Sequence, residues 1–70
     1  DVYKRQAEYR TAVRLQPNWA LGHQGLGAAL THKGDFQAAL DELRIAYTLD
    51  PKDERIRKDY ETLLQSMNPR

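Results

Sequence analysis

Apolar residues return at three- and four-residue spacing in four blocks, each closed by residues that interrupt a helix. The first block, from about Ala7 to Gln16, carries Tyr9, Ala12, Val13 and Leu15 and stops at Pro17. The second runs from about Trp19 to Lys33, behind Asn18 as the expected N-cap, and ends at Gly34. The third, from about Phe36 to Leu49, starts behind Asp35 and is expected to bury Phe36, Ala39, Leu40, Leu43, Ala46 and Tyr47 before Pro51. The fourth, from about Asp53 to Met67, places Ile56, Tyr60, Leu63, Leu64 and Met67 on one stripe, with charged and polar residues around the remainder. This pattern predicts four helices and no strand.

The first and third blocks share one register. Glu8, Arg10, Ala12, Leu15 and Pro17 recur 34 residues later as Glu42, Arg44, Ala46, Leu49 and Pro51, and a period of that length marks a stacked helical repeat. Between the two prolines lie Leu26-Gly27, Leu30, Gly34-Asp35-Phe36, Ala39, Leu43 and Ala46, spaced as a helix, a tight turn and a second helix require. This stretch resembles the tetratricopeptide repeat. Against that family's Trp, Leu-Gly, Tyr, Ala, Phe and Pro, the chain has His23, Leu26-Gly27, Leu30, Ala39, Leu43 and Pro51. His23, Leu30 and Leu43 are substitutions, whereas Gly27 and Ala39 keep the small residues that let helices approach.

The resemblance implies an all-α fold, with antiparallel helix-turn-helix units stacked as a short right-handed α-solenoid of about four helices. Residues 7–17 then form the second helix of a truncated repeat, 18–51 a complete repeat, 52–67 a terminal capping helix and 68–70 a tail. The last helix has Tyr60-Glu61 where the complete repeat has Leu26-Gly27, so Glu61 is expected to face water. Pro69 stands 34 residues after Asp35, which places the expected end of the array at the tail.

Asp1-Val2-Tyr3-Lys4-Arg5-Gln6 reads as an in-frame translation of the adapter end used in transposon-based sequencing libraries, GAT GTG TAT AAG AGA CAG. Residues 1–6 are therefore expected to be a non-native leader, with the natural protein extending upstream. The repeat register agrees, because Arg5 falls where the complete repeat has the small Ala39. The whole chain has 11 Lys and Arg against 10 Asp and Glu, for a net charge of +1, and without the leader the two signs balance. Bulk charge therefore gives no reason to expect nucleic acid as a partner. The related pentatricopeptide repeats, which read RNA, have a longer period and a more basic composition.

The 70 residues, 40% of them hydrophobic, suffice for one small helical domain and not for a core around a deep substrate pocket. There is no cysteine, which excludes disulfides and thiolate metal sites. No apolar run approaches the roughly 20 residues that span a bilayer, so membrane insertion is not expected. His23 and His32 lack the four-residue spacing that aims two imidazoles at one metal. His23 is expected to pack in the place of the family's Trp, and His32 to lie exposed at a helix end. Asp50, Asp53 and Glu54 flank a helix junction without calcium-loop spacing, and Gly22, Gly25 and Gly27 follow no strand, so helix packing explains them better than phosphate binding. Glu61 has no companion nucleophile. Neither an enzyme nor a bound cofactor is expected in this segment.

What remains is a surface. In the family, the first helix of each repeat lines a concave groove, which projects here onto Leu21, Gln24, Ala28, Thr31 and His32 and onto Arg55, Lys58, Thr62 and Gln65. The resemblance implies a non-catalytic scaffolding segment that binds a protein or peptide in that groove, with Arg55 and Lys58 meeting acidic residues. Gln24, Gly25 and Ala28 occupy positions where family members that clamp a terminal carboxylate carry Lys and Asn, so that clamp is not expected. The alternative is a docking region of a larger enzyme, such as a transferase or kinase, whose catalytic domain lies elsewhere. Trp19 is expected to pack at the junction of the first two helices. The first helix, lacking an upstream neighbour, leaves an apolar face through which the chain could self-associate, since about three repeats are normally needed for stability.

Overall fold

The computed structural model describes residues 1–67; the expected tail 68–70, with Pro69, lies outside the described residues. Four α-helices succeed one another: α1 (Val2–Leu15), α2 (Ala20–Lys33), α3 (Phe36–Leu49) and α4 (Glu54–Ser66), with no strand among the described residues. The stops fall where the punctuation predicts them. α1 and α3 each end two residues before a proline, at Leu15 and Leu49, as expected when the residue before proline is driven out of helical geometry. Gly34 takes the left-handed conformation at φ 96°, its N–H donating to the Leu30 and Thr31 carbonyls while Asp35 N–H reaches Leu30 O at 2.9 Å. That pattern satisfies the last carbonyls of α2 and turns the chain directly into α3. Asp35 and Asp53 cap α3 and α4 through Ala38 N–H and through Arg55 and Ile56 N–H respectively.

Two boundaries differ from expectation. α1 begins at Val2, five residues ahead of the expected Ala7, because the Asp1 carboxylate accepts the Lys4 N–H at 2.8 Å and neither glycine nor proline interrupts the chain before Pro17. Arg5 is tolerated because it lies exposed at the edge of the hollow between α1 and α2, without entering the core. Gln6 occupies the register position of Leu40, and its Oε1 is buried with no hydrogen-bond partner. The N-cap of α2 is Trp19, not Asn18, and no side chain caps that end.

Extensive contact occurs only between helices adjacent in sequence, α1 with α2, α2 with α3 and α3 with α4. The body is accordingly a slab of 37 × 27 × 15 Å. The core sits around the central pair: Leu26, Leu30, Ala39, Leu40 and Leu43 are buried together with Leu63 from α4, and Ala46 and Ile56 are also buried. Gly27 makes this pair tight. A β-carbon there would lie 2.9 Å from Leu43 Cγ and 3.3 Å from the Ala39 carbonyl oxygen. At Gly25 a β-carbon would overlap the Tyr9 ring of α1. Tyr47 and Tyr60 stack at 5.5 Å between centroids, with an interplanar angle of 20°, to join α3 to α4.

The apolar stripes are narrower than the periodicity predicts. Phe36 is 48% exposed, Leu64 40% and Leu15 68%, and α1 has no buried residue. Each helix packs extensively only on its neighbours in sequence, so residues at the stripe's margins and on the outer face of α1 meet water. Trp19 lies at the α1–α2 junction with Ala12 and Leu15 but remains half exposed for the same reason.

His23 is the buried polar residue at the centre of this arrangement. Its Nε2 lies 2.7 Å from the Pro17 carbonyl and its Nδ1 2.8 Å from Glu42 Oε1. A carbonyl can only accept, so Nε2 donates, and the contact with Glu42 then requires one proton between Nδ1 and the carboxylate oxygen. One imidazole thus ties the α1–α2 turn, α2 and α3.

Gly27→Ala is expected to destabilise the fold by about 1–3 kcal/mol through overpacking, although alanine favours an exposed helix by about 1 kcal/mol. A urea titration showing Gly27→Ala to be stabilising would mean that Leu43 yields without loss. Glu42→Ala leaves Nδ1 of a buried ring unpaired and is expected to lose about 1–3 kcal/mol. Glu42→Gln, whose amide can donate to Nδ1, is expected to lose clearly less in the same assay.

Candidate functional site

Because α2 and α4 both run against α3, they run parallel to each other, with α3 beneath the space between them. The result is a hollow of about 420 Å³. Its floor and lip are apolar, from Ala28, Phe36, Leu43 and Leu63, and its rim is polar, from Thr31, His32, Lys58, Asp59, Thr62 and Ser66. Leu43 serves twice, packed on Gly27 in the core and presented at the base of the groove. A second hollow of about 220 Å³ between α1 and α2 shares Ala28 and His32 with the first and continues it towards Tyr9, Arg5 and Val2.

The charges around the groove are unequally committed. Gln24 Nε2 donates to Asp59 Oδ2 at 2.9 Å across the gap between α2 and α4, so this carboxylate is already engaged. Arg55 lies 3.5 Å from the Asp53 carboxylate at the start of its own helix. Partial burial works to raise the Asp53 pKa, but hydrogen bonds from the Ile56 and Arg55 N–H groups, aided by the Arg55 guanidinium, outweigh it and hold the carboxyl below its ordinary value. Lys58 makes no ion pair among the described residues and borders both the apolar hollow and the charged outer face of α4. Two of the hydroxyls, those of Thr31 and Ser66, donate to carbonyls of their own helices, Gly27 O and Leu63 O.

Of the expected groove residues, Ala28, Thr31, His32, Lys58 and Thr62 come together around the main hollow. Gln24 stands at its edge as the bridge to Asp59. Leu21 and Gln65 are exposed and do not line it, and Arg55 belongs with Glu54, Arg57 and Glu61 on the outer side of α4. The repeat register does not point to Phe36, Leu43, Asp59, Leu63 and Ser66. The first two reach the hollow from α3, which a projection confined to the first helix of each repeat leaves out. A signal for Asp59 exists, since it stands at the register position of Gly25, beside Gln24, when α2 and α4 are aligned at the 34-residue period.

Chemically, the arrangement offers an apolar base, a free ammonium and rim groups able to hydrogen-bond. Among the described residues no group of three or more His, Cys, Asp or Glu side chains is placed to hold a metal ion. No helix among them is long and apolar enough to cross a membrane. Comparison with known proteins returns no matching family model, no matching curated protein and no matching solved structure.

The Asp53 cap carries a pH signature. Because its carboxyl titrates lower in the folded chain than in the unfolded one, it adds stability above the ordinary carboxylate range, and this is lost as pH falls through the folded value. Asp53→Ala is therefore expected to lower the melting temperature at neutral pH, with the gap to the parent chain closing at strongly acidic pH. A pH-independent gap in thermal melts monitored by circular dichroism would assign the loss to something other than the ionised cap.

Proposed function

We propose that this chain is a non-catalytic interaction segment of the tetratricopeptide kind, which receives a peptide or partner helix in the groove between α2 and α4. On this reading the helices are consecutive units of a short right-handed α-solenoid, and the groove is its concave side. The observation that carries the reading is the convergence of Ala28, Thr31, His32, Lys58 and Thr62, all projected from the repeat register, on one apolar-based hollow. The packing of each helix on its chain neighbours supports the same view. A groove of this form has the ingredients of peptide recognition, an apolar base for an anchor side chain and polar rims that fix its orientation.

The contacts expected to matter are concentrated near Lys58. Arg55 contributes less than its sequence position suggests, because its guanidinium lies beside Asp53. Ala28 is exposed at the meeting of both hollows, so Ala28→Trp fills the groove without entering the core. A partner captured from a lysate by the parent chain is expected to be lost with Ala28→Trp and kept with Arg44→Ala on α3, outside either hollow. Equal capture by the parent chain and Ala28→Trp would place binding on another surface.

A further inference from the structure

We infer that the preferred occupant of the groove is an internal peptide segment carrying one large apolar side chain with an Asp or Glu close beside it. The inference rests on the reading of the groove as a peptide site and assigns that peptide a chemistry. The apolar requirement comes from the base. Leu43 and Leu63 underlie a hollow of about 420 Å³ but are themselves buried, so an aliphatic or aromatic side chain seated there removes from water chiefly the exposed hydrocarbon of Phe36 and Ala28. Phe36, nearly half exposed at the lip, is the part of the base with most area left to cover.

The acidic requirement comes from which charges are free. Two titratable residues on the rim carry formal charge at neutral pH, Lys58 and Asp59. Asp59 keeps its charge, but its Oδ2 already accepts from Gln24 across the groove, which leaves Oδ1 as the oxygen without a partner among the described residues. Lys58 has no acid paired with it among the described residues, so an incoming carboxylate finds an ammonium without displacing anything. Arg57 stands with Lys58 around the next hollow on α4, whereas Arg55 is committed to Asp53. Glu54 and Glu61 also line that hollow and moderate the field, which limits the preference to a single carboxylate near Lys58. His32 on the opposite rim adds a ring nitrogen for a peptide carbonyl or N–H.

Position along the groove is set by the same residues. Lys58 lies about one turn into α4 (Glu54–Ser66), whereas Ser66 closes the far end together with Phe36 at the α2–α3 turn. The carboxylate therefore sits beside Lys58, towards the N-terminal half of α4, and the apolar anchor towards Phe36. Lys58 and Ser66 are about 12 Å apart along the helix at 1.5 Å rise per residue, a span that an extended peptide covers in about three to four residues at about 3.3 Å each, so the acid stands within about three residues of the anchor.

The test is a bead library of acetylated, amidated random nonapeptides screened with the fluorescently labelled 70-residue chain, so that no terminal carboxylate can contribute. Enrichment of Asp or Glu within three residues of Leu, Ile, Met or Phe is the expected result. The strongest sequence, resynthesised, should bind Lys58→Ala about two- to fivefold more weakly, the range an exposed ion pair supplies. Lys58→Glu should shift the selection towards Lys or Arg while leaving helical circular dichroism unchanged. Enrichment of apolar peptides without acids, or acidic peptides indifferent to both Lys58 variants, overturns the assigned chemistry and leaves the groove as a peptide site. Failure to enrich any sequence that Ala28→Trp blocks overturns both.

Discussion

The structure depends on the missing side chain at Gly27. With hydrogen there, α3 comes close enough for Leu43 Cγ and the Ala39 carbonyl to occupy the space of a β-carbon, and the largest buried cluster forms around that approach. The consequence reaches beyond packing. Leu43 also forms the base of the groove between α2 and α4, so the distance between α2 and α3 sets how deep that base lies. A glycine inside a helix costs about 1 kcal/mol relative to alanine, and α2 carries three before its terminal Gly34. Gly25 and Gly27 offset that cost through their neighbours, one against Tyr9 of α1 and the other against Leu43 of α3.

Close apolar approach has no direction of its own, and the polar contacts at its ends supply one. At one end His23 spans Pro17 and Glu42; at the other the left-handed Gly34 and the Asp35 cap fix the turn into α3. Burying an imidazole is favourable only when both nitrogens are satisfied, and the two partners come from different segments. A slip of α3 along α2 would therefore leave Glu42 and His23 unpaired together, a larger loss than the apolar contacts alone would register. A tryptophan at this position could fill volume and donate one hydrogen bond, whereas histidine makes two, one from each ring nitrogen.

The helices and their stops were legible in the sequence because they rest on local chemistry: prolines at Pro17 and Pro51, glycine at Gly34, and the carboxylates of Asp35 and Asp53. Features set by neighbours were not. Phe36, Leu64 and Leu15 fit apolar stripes, yet whether a stripe residue is covered depends on how many helices flank it, and helices that pack extensively only on their sequence neighbours cover fewer than the period implies. Asn18 has the chemistry of a cap, but the chain places Trp19 at that position with no side-chain bond. The groove was legible by half. The repeat register finds the walls contributed by α2 and α4, but the base comes from α3, and the engagement of Asp59 by Gln24 and of Arg55 by Asp53 depends on side-chain geometry that spacing does not encode.

The same packing geometry links binding to stability. α2 and α4 both lean on α3, and the Gln24–Asp59 hydrogen bond is a direct polar tie between them across the groove. α4 is held by the burial of Ile56 and Leu63, by the Tyr47–Tyr60 stack and by this single hydrogen bond to α2. A peptide seated between α2 and α4 would touch both helices and α3 together, adding a further attachment for α4 that exists only in the folded chain. Any ligand that binds the folded state alone raises its stability in proportion to the logarithm of its concentration over Kd. In a core this small that increment is a substantial share of the whole. On the proposed reading, occupation of the groove and the stability of α4 are coupled, and Lys58 beside the apolar base would bear on both.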